Sequence, residues 1–250
     1  MNKTSLATFF VAVLLISTTT EGQKKDTQNE ATKNMGKLNL SSIALKSIGL
    51  QYERQIGKQT TVALGVSFQP TSTVAFKSQL EKIIDNPRIN VDQFKLGTTV
   101  ITPEFRYYFG KDGAYHGFYV APYLRLGKYH VEGPVSYKSS TDSTKIAVFN
   151  GDLSFFSGGI LLGSSFKLGG NFYLDWWIVG GSIGAASGNV HADSDLSDPD
   201  DRKTLKKELD GTNVPLTHIE SVVTPTGATV TSSGSVVGIR GLGINVGFRF

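Results

Sequence analysis

A chain of 250 residues with 28 Gly, 15 Phe and 9 Tyr but only 39% hydrophobic residues is too polar for a helical membrane bundle and suits a sheet that alternates its faces. Its formal charge of +4, from 25 Lys and Arg against 21 Asp and Glu, is scattered without a basic stripe, which argues against nucleic acid as a partner. With no cysteine, disulfides, thiolate metal sites and lipid-modified cysteine are excluded.

Met1-Asn2-Lys3, the apolar run Leu6 to Ile16 and the small and polar residues Ser17 to Gly22 form the three-part pattern of a secretory signal peptide, residues 1–22. The run is short for a membrane-spanning helix. Residues 23–35 lack an apolar period and are expected to form a flexible periplasmic leader, leaving 36–250 as the folded unit.

From Gly36 onward the period is two. Lys37 to Leu45 is the first expected strand, with Leu38 and Leu40 on one side and Lys37 and Asn39 on the other; its phase slips at Ser41-Ser42, where a bulge is expected. Ser47 to Ile56 places Ile48, Leu50, Tyr52 and Ile56 outward and Gly49, Gln51, Glu53 and Gln55 inward. Thr60 to Gln69 alternates most cleanly, Val62, Leu64, Val66 and Phe68 opposing Thr61, Ala63, Gly65 and Ser67. Residues 70–95 read as a long loop in which Phe76 to Ile84 has amphipathic helical spacing.

Gly97 to Phe109 returns to alternation, with Phe105, Tyr107 and Phe109 outward and Thr102, Glu104, Arg106 and Tyr108 inward. Tyr115 to Tyr129 follows, with Tyr119, Ala121, Tyr123 and Arg125 inward; Pro103 and Pro122 are expected at irregularities of the ladder. After a second long loop, 131–150, Leu153 to Lys167 places Phe156, Ile160, Leu162 and Phe166 outward. Phe172 to Ala186 places Phe172, Leu174, Trp176 and Ile178 outward and Asp175 and Trp177 inward. The longest loop, 187–233, is polar and carries a short helix from about Pro199 to Leu209. The final strand opposes Leu242, Ile244, Val246, Phe248 and Phe250 to Gly241, Gly243, Asn245, Gly247 and Arg249.

Short turns near Gly57, 110–114 and 168–170 alternate with the three long loops. An exported closed sheet with both termini on one side needs an even strand count, short inner turns and longer outer loops. The expected fold is therefore all-β: an eight-stranded antiparallel up-and-down transmembrane β-barrel with three long extracellular loops, strand eight closing against the strand that starts near Lys37. Tyr107, Tyr108, Phe109, Tyr115, Phe118, Phe248 and Phe250 would form an aromatic girdle at its inner rim.

Leu50-Gln-Tyr-Glu-Arg54, Thr102 to Phe109, Gly117 to Leu126 and Val246-Gly-Phe-Arg-Phe250 resemble segments of small, uncharacterised outer-membrane β-barrel proteins of Gram-negative bacteria, a family of unknown function. The resemblance covers most of the chain from about residue 36. It implies an outer-membrane location, contact with outer-membrane lipid and lipopolysaccharide, and a C-terminal signal at Gly243, Val246, Phe248 and Phe250 read by the assembly machinery. It implies no activity.

Eight strands enclose a space that side chains can fill. Glu53, Glu104, Arg106, Arg125, Lys167, Asp175 and Arg249 face inward by parity, and mutual ion pairing in a charge network is the expected role, with Asp175 and Arg249 in salt-bridge reach. Glu104 and Asp175 as an acid/base pair is the sharper alternative, but nothing in the spacing fixes their separation. His116, His130, His191 and His218 fall at strand ends or in loops without a G-x-S-x-G motif. Asp193, Asp195, Asp198, Asp200 and Asp201 offer oxygen ligands for calcium at spacings unlike an EF-hand; a solvated loop is the better reading. No cofactor is expected. The function expected is structural or surface-interacting, with no catalysis and a monomeric state, the loops meeting a surface protein or other ligand; a small-solute channel and an outer-membrane hydrolase are the alternatives.

Overall fold

A computed structural model describes residues 32–73, 93–139, 143–211 and 216–250. The signal peptide, most of the leader and the Phe76 to Ile84 stretch lie outside the described residues. Among the described residues nine strands form one antiparallel sheet: β1 (Asn34–Asn39), β2 (Ile48–Gln55), β3 (Thr60–Thr73), β4 (Lys95–Tyr108), β5 (Gly117–Lys138), β6 (Thr144–Gly169), β7 (Phe172–Asp193), β8 (Thr217–Thr224) and β9 (Gly227–Arg249). Each of β1 to β7 pairs with the next, β7 pairs with β9, and β9 pairs with β1, so that β1–β7 and β9 close a ring of eight; β8 lies outside it, paired with β9. Asn34 and Phe250 exchange backbone hydrogen bonds at 3.1 and 2.8 Å, which holds both ends of the described fold at the rim that carries the short turns.

Period-two alternation decides which residues face into the ring. Leu64, Val66, Phe68, Phe105, Phe156 and Ile160 are exposed on the outside, while Ala63, Thr102, Glu104, Arg106 and Tyr108 are buried within. Pro103 and Pro122 lack a partner in the β4–β5 ladder, although its register is the same on either side; each pairs across its strand's other edge, with Leu64 and Ile160 respectively. A missing N–H is tolerated there because only one ladder thins.

Several expectations are corrected. β1 begins at Asn34, inside the stretch assigned to the leader, and Met35 is fully buried. The phase slip after Leu40 is a helix and not a bulge: α1 (Leu40–Ala44) starts where the Asn39 side chain accepts from the Ser42 N–H at 2.8 Å, an N-cap that satisfies one orphan donor. The loop at 131–150 is mostly strand, because β5 and β6 pair continuously from Gly117↔Ser165 to Lys138↔Thr144. The loop at 187–233 holds the end of β7, helix α2 (Pro199–Asp210), β8 and the start of β9. In these extensions β7 beyond Ala186 and the start of β9 are mostly small and polar, while Ile146 to Phe149 of β6 is apolar on both faces, so neither shows an alternating apolar period. Tyr137, Phe149, Leu196, Leu205 and Leu209 form their own small core. Of the expected girdle, Tyr108 and Tyr115 are fully buried inside the ring, whereas Tyr107, Phe109, Phe118, Phe248 and Phe250 are exposed.

One irregularity redirects side chains across two strands. Ile178 of β7 and Leu242 of β9 drop out of their ladder at the same level, between Trp177↔Gly243 and Val179↔Gly241. β7 also carries Ile178 as an extra residue against β6, and Leu242 has φ 54°. Past this point both strands exchange faces: Val179 replaces Ile178 in the outward position, and Val237 and Ile239 point outward, so Arg240 points in.

The ring is also uneven in its pairing. β1 reaches β9 only through Asn245–Arg249, and β8 reaches it only at Gly227–Gly234. Between them, β9 residues 236–241 have no strand partner on that edge among the described residues. At the lower end of this seam the Ser41 hydroxyl takes the Ile244 N–H at 2.9 Å and donates to the Leu242 carbonyl at 3.3 Å.

Candidate functional site

The interior of the ring is stacked in layers from the short-turn rim. The first is aromatic: Met35, Tyr108, Tyr115, Tyr119 and Tyr173 pack together. Tyr115 donates to the Lys33 carbonyl at 2.6 Å; burial first, and then the nearby Glu53 carboxylate, push its hydroxyl above the usual phenol range.

Above it lies a layer of charge. Arg106 donates to Glu104 through Nε (3.0 Å) and Nη2 (2.8 Å), to Asp175 at 2.8 Å and to Gln51 at 2.8 Å, and its Nη1 stands 3.1 Å from Glu53. Lys37 bridges Glu53 and Asp175, the latter at 2.6 Å. Tyr108 and Thr61 donate to Glu53 and Tyr119 to Asp175, at 2.8, 2.5 and 2.7 Å. Arg240 reaches Glu104 at 2.6 Å from above, its guanidinium 4.0 Å from the Trp177 ring centre and 5.0 Å from that of Tyr123. Three carboxylates thus meet three cations, and every carboxylate has at least two donors. That density of partners offsets the cost of removing the charges from water.

Of the seven charges expected in the network, Glu53, Glu104, Arg106 and Asp175 come together. Asp175 and Arg249 do not pair: Asp175 is opposite Asn245, and four residues at roughly 3.3 Å each separate that level from Arg249. Arg249 sits instead at the aromatic layer, 4.9 Å from the Tyr115 ring centre and 3.3 Å from the Tyr173 hydroxyl. Lys167 is exposed near the end of β6. Arg125 lies above the network, 5.7 Å from the Phe155 ring centre. Lys37 and Arg240 were missed. Lys37 was legible from its inward parity, but Arg240 lies on the outward parity of the last strand and comes inside only through the irregularity at Leu242.

Over the charge layer is a cavity of about 250 Å³, lined among others by Gln51, Arg125, Trp177, Ile239, Arg240 and Asn245. The other sequence candidates do not converge. Asp198 caps α2, Asp200 meets Lys203 at 3.3 Å, and Asp201 holds Lys145 at 2.6 Å and Ser139 at 2.8 Å. Asp193 meets His191, and Asp195 accepts from the Ser197 N–H. Among the described residues no group of three or more His, Asp or Glu has metal-binding geometry. Hydrogen bonds from Ser197 hold Asp195, and those from Ser221 and Lys206 hold Asp210, below the usual carboxylate range. His130 contacts Asp152 and His218 contacts Glu220. His191 bridges Thr229 and Asp193 at 3.0 and 2.9 Å, but the Asp193 side chain is 94% exposed. Glu104 and Asp175 share Arg106, and each meets a second cation, Arg240 and Lys37 respectively.

A family model described as protein of unknown function (DUF3575) matches residues 8–194. The chain belongs to this DUF3575 family. The match ends just after β7, so the strand that closes the ring and supplies Arg240 lies beyond it. No curated protein and no solved structure matches the chain.

Proposed function

We propose that this DUF3575 protein is an eight-stranded β-barrel of the bacterial outer membrane, monomeric and non-catalytic, acting as a structural or surface-interaction protein. One observation carries the reading: the closed sheet is apolar outside and charged inside. Ile48, Leu50, Tyr52, Leu64, Val66, Phe68, Phe105, Phe156 and Ile160 are exposed around the ring, while Lys37, Glu53, Glu104, Arg106 and Asp175 are buried in it. In water such a surface would be an aggregation liability, whereas hydrocarbon is its proper solvent. From Ile48 in β2 to Ile56 just after it the outward face is apolar but for Arg54 near the short-turn rim, the length of a spanning strand of about 9–11 residues. Tyr107, Phe109, Phe118, Phe172, Phe248 and Phe250, exposed at the short-turn rim, suit a membrane interface on the periplasmic side. No described helix is long and apolar enough to cross a membrane.

The plugged charge layer favours a closed lumen over a channel, and the raised β5–β6 hairpin, α2 and β8 offer a platform for lipopolysaccharide, another surface protein or a ligand. The aromatic terminus at Phe248 and Phe250 suits delivery by the outer-membrane assembly machinery. The test is twofold. Outer-membrane fractions should hold the protein in a form whose gel mobility changes on boiling; a soluble form without that shift would refute the membrane reading. Purified protein in planar bilayers should show no stable unitary conductance.

A further inference from the structure

The charge layer is balanced, and the cavity above it is not. Glu53, Glu104 and Asp175 offset Lys37, Arg106 and Arg240. Arg125 adds a cation to the cavity wall with no carboxylate partner among the described residues; its close neighbour is the Phe155 ring. Around it are buried donors without a hydrogen-bond partner: Gln51 Nε2, Trp177 Nε1 and Arg240 Nη1. Gln51 is 5% exposed and Asn245 1%, and the network settles how their amides are turned. Gln51 Oε1 accepts from Arg106 and Asn245 Nδ2 donates to the Asp175 carbonyl, so Gln51 presents an N–H and Asn245 presents Oδ1, also unpartnered.

We propose that this cavity is a binding site for a phosphate-type oxyanion. Two guanidinium groups supply charge and bidentate N–H donors, Gln51 and Trp177 supply neutral donors, and Asn245 accepts from the protonated oxygen of a monoanion. A buried donor left unpaired costs about 1–3 kcal/mol, so an anion that satisfies three of them at once, over a surplus cation, is the chemistry the wall is built for. Its volume of about 250 Å³ exceeds what one phosphate fills and leaves room for a substituent. The seam beside β9 suggests where a substituent would lie: Leu45, Leu50 and Ile239 line the same cavity, and Ile239 and Leu242 are exposed at the unpaired edge. The anion site rests on the closed sheet alone, while entry of a lipid headgroup through the seam rests on the membrane reading.

The test is calorimetric titration of the folded full-length protein in a non-ionic detergent with inorganic phosphate and, separately, with dodecyl phosphate, against chloride at equal ionic strength. Arg125→Gln is the informative variant because it leaves every ion pair of the charge layer in place. Saturable binding of either phosphate, weakened at least tenfold in Arg125→Gln and also in Trp177→Phe, supports the site. Binding of inorganic phosphate identifies a soluble source, and binding of dodecyl phosphate alone identifies a headgroup entering by the seam. Absence of binding by both, with heat-modifiable mobility showing a folded protein, overturns the proposal, as does binding that neither substitution changes.

Discussion

Replacing Arg106 by methionine tests whether the interior charge layer is a mutually dependent unit. The side chain makes three hydrogen bonds to carboxylates, one to Gln51 and a further ion pair with Glu53 at 3.1 Å. Added at about 1.5–3 kcal/mol for each of the four charged contacts, these would sum to roughly 6–12 kcal/mol. The sum overstates the effect, because removing the guanidinium also releases its own desolvation cost of several kcal/mol. What remains is one buried carboxylate in excess, three against Lys37 and Arg240, for which about 3–5 kcal/mol is expected. The assay is equilibrium urea unfolding in detergent micelles followed by tryptophan fluorescence, with boiling-sensitive mobility to confirm folding. Adding Asp175→Asn restores the balance of two acids and two bases and should recover part of the loss, although Lys37 and Tyr119 lose a charged acceptor. A loss below about 1 kcal/mol for Arg106→Met, or a double variant no more stable than the single one, would refute the idea of a coupled network.

Gly163→Ala should destabilise by about 1–3 kcal/mol, since an added Cβ would collide with the Tyr119 hydroxyl and stand 2.8 Å from the Trp176 carbonyl; the same unfolding assay reads it, and an unchanged midpoint would show that Tyr119 is not held by Asp175. Leu205→Ala, in the outer core, should loosen α2 by about 2–5 kcal/mol while leaving the ring intact, so hydrogen exchange should rise at 199–210 and not in β2–β4. Acid should loosen the same helix: the folded-state pKa of Asp210 lies below its unfolded value because Ser221 and Lys206 bond the carboxylate, so its contribution is present above the ordinary aspartate value of about 3.9 and is lost as pH falls through the lower folded value. Exchange at α2 that stays flat down to that region would refute the assignment, and Asp210→Asn should abolish the response.

Much of the ring was legible because period two is a direct physical signal: Val62 to Phe68 and Glu104 to Arg106 declare their faces by polarity alone. The raised wing was not. Ser187 to Asp193 and Gly227 to Ser233 are mostly small or polar, and nothing local distinguishes a solvated hairpin from a loop; they pair with each other across more than thirty residues of sequence. The site shows the same division. Composition and alternation determined by themselves that acids and bases share an interior and that Glu53, Glu104, Arg106 and Asp175 belong there. Which cation meets which carboxylate depends on the stagger between strands, and it was the tertiary structure that moved Arg249 to the tyrosines and Lys37 to the centre. Arg240 is the extreme case. Parity assigns it to the outside, and only the paired irregularity at Ile178 and Leu242, a property of two strands together, brings it in.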